Sequence, residues 1–158
     1  MQTEFIIATP ADAPTVARLV IELTDEICQR AEIKGFNINV EETIARTIDF
    51  IKRGFYTAIL GVQEGRVIAV ACIAESYALY AGGKIGIVQE FFVSPEYRSS
   101  GVGAQLIEAV NAHGREQGWA CVELCTPPLP AFDNTLAFYQ RNGMAAVGGR
   151  KMRAYLES

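Results

Sequence analysis

Apolar residues follow two different rhythms along this chain. Near the N-terminus, after a short strand from Phe5 to Ala8 that stops at Thr9-Pro10, the spacing is helical. Val16, Leu19, Val20, Leu23 and Ile27 recur every three or four positions behind Asp12, a residue type suited to N-capping, and predict an amphipathic helix. Gly35 breaks that pattern. Asn39-x-x-Glu42 then has the form of a capping box opening a second helix, with Ile44, Ile48 and Ile51 on one side and Gly54 near its end.

After Gly54 the period changes. Tyr56–Val62 and Arg66–Ala74 are rich in Val, Ile and Ala and flank the short turn Gln63-Glu64-Gly65, which predicts an antiparallel hairpin. Gly82-Gly83 marks another reversal before a strand from Ile85 to Val93. A helix follows from Val102 to about Gln117, with Val102, Leu106, Ala109 and Val110 on one stripe and Gly118 closing it. Cys121–Thr126 reads as a strand, and Asn134–Arg141 as a short helix stopped by Asn142-Gly143. The tail from Met144 divides at Gly148-Gly149, and Arg150–Leu156 alternates with Met152, Ala154 and Leu156 on one face. The expected order is therefore β-α-α-β-β-β-α-β-α-β-β. It describes one α+β domain over residues 1–158, with a mixed central sheet of about seven strands and helices on both faces.

Charge and composition narrow the partners. A net charge of -4 and a pI near 5.1 argue against a nucleic-acid binder, since the basic residues are scattered singly or in pairs such as Lys52-Arg53. The longest apolar run, Val67 to Ala74, is far too short to cross a bilayer, and the N-terminus lacks the flanks of a signal peptide. A cytoplasmic location is the expectation. Cys28, Cys72, Cys121 and Cys125 have no CxxC spacing and read as reduced thiols used as small hydrophobes. No metal is expected, because His113 is the only histidine and has no ligand pattern around it.

The stretch 88-VQEFFVSPEYRSSGVGAQLIEAV-110 carries the chemistry. Gly101-Val102-Gly103 follows a strand and opens a helix, a location where backbone N–H groups and the helix dipole favour an anion. It is not a Walker loop, because no Gly-Lys-Ser/Thr follows. It is not the dinucleotide fingerprint either, because Leu106 stands where a third small residue belongs.

The frame around these glycines, Glu90-Phe-Phe-Val-Ser-Pro-Glu-Tyr-Arg98-x-x-Gly101-x-Gly103, resembles the acyl-CoA signature of the GNAT superfamily of acetyl-CoA-dependent N-acetyltransferases. Downstream, Asn134-Thr-Leu-Ala-Phe-Tyr139-Gln-Arg-Asn-Gly143 resembles that superfamily's later Asn-x-x-Ala-x-x-Phe-Tyr region, with somewhat altered spacing. The resemblance implies that acetyl-CoA enters where the strand ending at Val93 parts from the strand ending near Thr126. Backbone groups of Phe91 and Val93 would pair with the pantetheine amides. N–H groups of Ser99, Ser100, Gly101, Val102, Gly103 and Ala104 would hold the pyrophosphate, with Arg98 adding positive charge and Asn134 contributing from the second motif. Ser99 departs from the family's frequent glycine, and in a left-handed backbone a serine is strained.

Acetyl transfer from a thioester needs a neutral amine, a polarised carbonyl and a proton for the departing thiolate. Tyr139 matches the family tyrosine that protonates the sulfur; without the motif it would read as a packing residue beside Phe138. Gln89-Glu90-Phe-Phe-Val resembles the Glu-Asp-Phe-Phe-Val of polyamine acetyltransferases, yet that family's basic glutamate falls at Gln89. Glu90, one residue on, faces the other way in a regular strand unless a bulge redirects it. Otherwise Glu75, or a water chain from a surface carboxylate, takes the proton.

Acceptor selection is expected from Gly35-Phe36-Asn37 and from the hairpin around Tyr77, Leu79 and Tyr80, with Asp25, Glu26 and Glu75 attracting a cation. The resemblance thus implies acetylation of a primary amine, expected on a small molecule; charge and hydropathy argue against nucleic acid and membrane as partners, and a homodimer is left open. Two alternatives stand beside it: a protein N-terminus or lysine as acceptor, and a non-catalytic acyl-CoA-binding sensor domain.

Overall fold

The two N-terminal helices form; the first covers one face of a sheet and the second packs against the first. In the computed structural model, which describes residues 2–34 and 38–156, β1 (Glu4–Ile7) leads through a 3-10 turn at Pro10–Asp12 into α1 (Ala13–Arg30). Asp12 does not cap α1 with its side chain; it turns back to accept from the Thr9 N–H at 2.8 Å within the turn. Asn39 does cap α2 (Val40–Lys52), its Oδ1 accepting from the Glu42 N–H at 2.9 Å.

The sheet continues with β2 (Thr57–Gln63), β3 (Arg66–Ala78) and β4 (Gly83–Val93), and after α3 (Val102–Gln117) with β5 (Val122–Leu124); α4 spans Asp133–Arg141. Spatial order follows chain order. The first four strands are antiparallel and β5 lies parallel to β4, so the sheet is mixed. Between β2 and β3 only Glu64 and Gly65 turn, with φ of 49° and 75°, the double positive φ that a two-residue hairpin favours.

Each face has its own core. Val16 and Leu19 of α1 pack with Leu60, Val70, Cys72 and Phe92. Val102, Leu106 and Val110 of α3 pack on the opposite face with Ile59, Ile68, Ile73, Val88 and Val93. Helices on both faces of a mixed sheet are thus present.

The strand count is corrected from about seven to five among the described residues. Residues 144–156 form no strand, and the alternation seen in Arg150–Leu156 leaves Met152 and Leu156 exposed. A strand needs an edge to pair with, and β5 offers only three residues. The expected strand Cys121–Thr126 is cut short where the chain approaches Pro127, Pro128 and Pro130, residues that cannot donate to a ladder. With so short an edge, period-two patterning alone does not make a strand.

Candidate active site

The site begins with a fault in β4. Cys72 pairs with Glu90 but its neighbour Ile73 pairs with Val88, so Gln89 is an extra residue, a β-bulge. Val88 belongs to the α3-side core; without the bulge the next position, Gln89, would face α1. Instead Gln89 is exposed, Glu90 takes the α1-side orientation, and Phe92 joins the α1-side core. The bulge also coincides with the end of pairing to β5, which covers β4 only at Gly86–Val88.

Beyond Val88, therefore, one edge of β4 is bare of strand. Ser94 donates its N–H to the Ile68 carbonyl across β3 at 2.8 Å. By the alternation of an antiparallel ladder, the main-chain groups of Phe91 and Val93 point the other way, to the bare edge. The Val93 carbonyl is already engaged there, accepting from Arg98 Nε at 2.8 Å.

The following loop is shaped by its backbone. A 3-10 turn at Pro95–Tyr97 leads to Arg98, then Ser99 at φ 66° and Gly101 at φ 89°, the residue before α3. The Ser100 hydroxyl donates to the Tyr97 carbonyl and the Val102 side chain is buried in the core, so neither side chain lines the cavity in front of the loop. That cavity, about 660 Å³, is bounded by Phe91, Val93, Arg98, Ser99, Gly101, Gly103, Ala104, Asn134 and Tyr139. At Gly103 a Cβ would lie 2.8 Å from the Phe138 ring, so this glycine lets α4 approach α3. At Gly101 nothing stands within 4 Å, and the positive φ alone calls for glycine.

Charge around this cavity is balanced rather than simply positive. Both terminal nitrogens of Arg98 bind Glu26, at 2.7 and 3.1 Å, and Arg30 binds the same carboxylate at 3.0 Å. Burial works against the Glu26 charge, but the two arginines outweigh it and hold its carboxyl below the usual range. Arg30, stacked 4.0 Å over Phe132, and Arg141 also line the wall; neither was foreseen from the sequence. Arg141 is a last-turn cation of α4, a pattern that sequence alone assigns to the helix dipole.

A second cavity of about 530 Å³ lies at the bulge, bounded by Leu23, Cys28, Gln89, Glu90, Cys125, Pro128, Lys151 and Arg153 among others. Leu23, Phe91, Pro127 and Tyr139 belong to the walls of both cavities, so the two meet there. Tyr139 is buried, packs edge-on to Phe91 with ring centroids 5.7 Å apart, and has its phenol pushed up to about 12 by burial. Glu90 Oε2 accepts from the Tyr56 hydroxyl at 3.3 Å, while Oε1 is sealed from solvent with no partner among the described residues. Burial raises the Glu90 carboxyl, opposed in part by Tyr56 and the adjacent Cys72 thiol. In return, burial and the Glu90 charge raise both Tyr56 and Cys72.

Other expected contributors lie elsewhere. Glu75 binds Trp119 Nε1 at 2.7 Å and Lys84 at 3.6 Å, at the end of the sheet where the Trp119 ring fills the space beside Gly86 and Gly114, and it lines neither cavity. Tyr77, Leu79 and Tyr80 are exposed and line neither; the Tyr80 hydroxyl donates to Glu123. Gly35-Phe36-Asn37 lies outside the described residues. The thiols are not uniformly buried: Cys72 is, Cys28 and Cys121 are half-buried, and Cys125 is exposed. His113 is a half-buried helix residue against Trp119. Among the described residues no helix is long and apolar enough to cross a membrane, and no cluster of three His, Cys, Asp or Glu is present to hold a metal ion.

β4 thus presents a bare edge beside a loop with positive φ at Ser99 and Gly101 that opens α3. A family model described as "Acetyltransferase (GNAT) domain" matches residues 52–143, more than half of the chain, and the chain belongs to that family. The protein described as "Probable glucosamine 6-phosphate N-acetyltransferase 2" from Oryza sativa subsp. japonica is 30% identical over 86 residues, 53% of this chain and 52% of that protein. The match thus spans about half the length of that curated relative. Among solved structures, an aminoglycoside acetyltransferase from an uncultured soil metagenomic sample superposes with a TM-score of 0.76 at 17% identity, covering 99% of this chain and 97% of its own. A ribosomal-protein-alanine N-acetyltransferase from Brucella melitensis biovar Abortus 2308 gives 0.72 at 15% identity, covering 97% and 100%. Two such different acceptors on one fold mean that the fold does not choose between them.

Proposed function

We propose that this protein is an acetyl-CoA-dependent N-acetyltransferase acting on a primary amine of a small molecule. The observation that carries this reading is the meeting of the two cavities at Phe91 and Tyr139, beside the bare edge of β4. The first cavity suits the co-substrate. An extended pantetheine arm can pair with the outward main-chain groups of Phe91 and with the Val93 N–H as an added strand. The N–H groups around Gly101–Ala104 at the start of α3 suit the pyrophosphate. Arg98 and Arg30 are both held by Glu26, so Arg141 supplies further positive charge for the phosphates.

In the reaction the amine nitrogen attacks the thioester carbonyl carbon; a C–N bond forms and the C–S bond breaks. The sulfur leaves as thiolate and receives a hydrogen bond, then a proton, from the Tyr139 hydroxyl. Burial pushes that hydroxyl up to about 12, so it gives up its proton only to a strongly basic atom such as the departing thiolate. The proton lost by the amine passes to Glu90, whose raised pKa makes it a better base than an ordinary carboxylate. As products leave, the phenolate regains a proton from solvent and Glu90 returns its own to solvent. A second cavity of about 530 Å³ supports a small acceptor, since pockets of roughly 300–1,000 Å³ hold small molecules.

The test is titration with acetyl-CoA followed by an amine panel read by free-thiol release. Binding with thiol release that depends on a small amine supports the proposal. Release only with peptides would move the acceptor to protein, and binding without any turnover would make this a sensor domain.

A further inference from the structure

Resting on the acetyltransferase reading, we propose that the acceptor is an amine that also carries an anionic group, a phosphate or carboxylate. Its amine lies toward Glu90 and its anion against Lys151 and Arg153. The wall of the second cavity carries this inference. Glu90 is the single acid among the described residues that bound it, and Lys151 and Arg153 are its cations. The chain as a whole is acidic, at -4, yet cations outnumber the acid two to one on this wall. Neither enters an ion pair among the described residues; Arg153 makes weak contacts with Tyr155 alone, 3.4 Å to its hydroxyl and 5.8 Å to its ring centroid.

The acids that could have drawn a polycation are spent or absent here. Glu26 is neutralised by Arg98 and Arg30 on the first cavity, and Asp25 and Glu75 line neither. An acceptor with several ammonium groups would meet two positive side chains and a single buried carboxylate. An acceptor with one amine and one anion meets a matching charge at each end. The cations come from the tail that forms no strand, so this charge pair was not visible as a motif.

The experiment is calorimetric titration of the CoA-loaded protein with matched pairs of amines at low and high salt. Glucosamine is compared with glucosamine 6-phosphate, an amino acid amide with the free amino acid, and spermidine serves as polycation. The anionic member of at least one pair is expected to bind about tenfold tighter at low salt, with the advantage shrinking as salt rises. Whether the sugar pair or the amino acid pair shows the effect separates phosphate from carboxylate. In the double variant Lys151→Glu/Arg153→Glu the preference should reverse, and acetylation should show the change in KM for the anionic amine more than in kcat. If that variant does not fold, Lys151→Gln and Arg153→Gln singly should each remove about threefold of the preference. Equal binding within every pair, a preference for spermidine, or a preference unmoved by the substitutions overturns the inference while leaving the acetyltransferase reading intact. Failure to bind CoA at all overturns both.

Discussion

The two cavities share a wall and are built in opposite ways. The first rests on consecutive backbone, from the bare edge at Phe91–Val93 through the positive φ of Ser99 and Gly101 to the start of α3. The second gathers side chains from α1, the β4 bulge, the prolines after β5 and the tail. A wall made of backbone constrains sequence locally, because positive φ and helix entry demand particular residue types at fixed spacing. A wall made of distant side chains imposes no spacing at all. In the proposed reading the co-substrate faces the first wall and the acceptor faces the second.

The largest expected effect tests the group on the boundary. Tyr139→Phe keeps the ring and its packing on Phe91 but removes the hydroxyl, so kcat should fall roughly 100-fold or more while CoA affinity changes little. Single-turnover rates and CoA titrations on the same preparation check it. A variant that keeps most of its rate would make Tyr139 a packing residue and leave the two cavities without a chemical link.

Glu90→Gln belongs to the acceptor side alone. Its rate should fall about tenfold, since water can take the proton in its place, and the acidic limb of the pH–rate profile should move. Stability gives an independent readout. Because burial raises the folded carboxyl above its unfolded value, the native state holds that proton to higher pH than the unfolded chain does. Its favourable contribution is therefore complete at low pH and is lost as pH rises through the folded value. The variant should gain melting temperature relative to wild type as pH rises above the ordinary carboxylate range. A difference that is flat with pH would show that Glu90 is not held in its raised state.

The same contrast explains what could be read in advance. Asn39, the Glu64-Gly65 turn and Gly118 announce helix starts, a hairpin and a helix stop through local rules, and each stands where its pattern put it. The bulge at Gln89 is not written in any residue type; it is a mismatch in register between β3 and β4, visible only once both strands are paired. Trp119 could not be placed by period, because its position depends on two glycines, Gly86 and Gly114, from different elements leaving room for one ring. The tail shows the converse failure. Its alternation is real, but β5 ends too soon to offer it an edge.

Ser99 tests whether the first wall is shaped by backbone alone. It holds φ 66° with a Cβ, a conformation that costs an L-residue roughly 1–2 kcal/mol. Ser99→Gly should therefore raise stability by about 1 kcal/mol in denaturant titration, less the extra freedom glycine gains on unfolding, with CoA affinity within about twofold. A clear loss of affinity would show instead that the serine hydroxyl donates to a phosphate, and that side chains matter on this wall too.

The smallest effect separates charge from shape at the same wall. Glu26 now neutralises Arg98 and Arg30, two of the cations lining the first cavity. Glu26→Gln releases that charge toward the ligand's phosphates, so CoA should bind about threefold tighter at low salt, and the gain should vanish as screening sets in. The cost in stability should be under about 1 kcal/mol, as for other partly exposed pairs. Since the folded carboxyl is held below its usual range, its contribution is present above the unfolded value and is lost as pH falls through the folded one. Wild type and variant should thus converge in acid. If CoA affinity falls instead, Glu26 is needed to aim Arg98, and the wall depends on a positioned side chain as much as on its backbone.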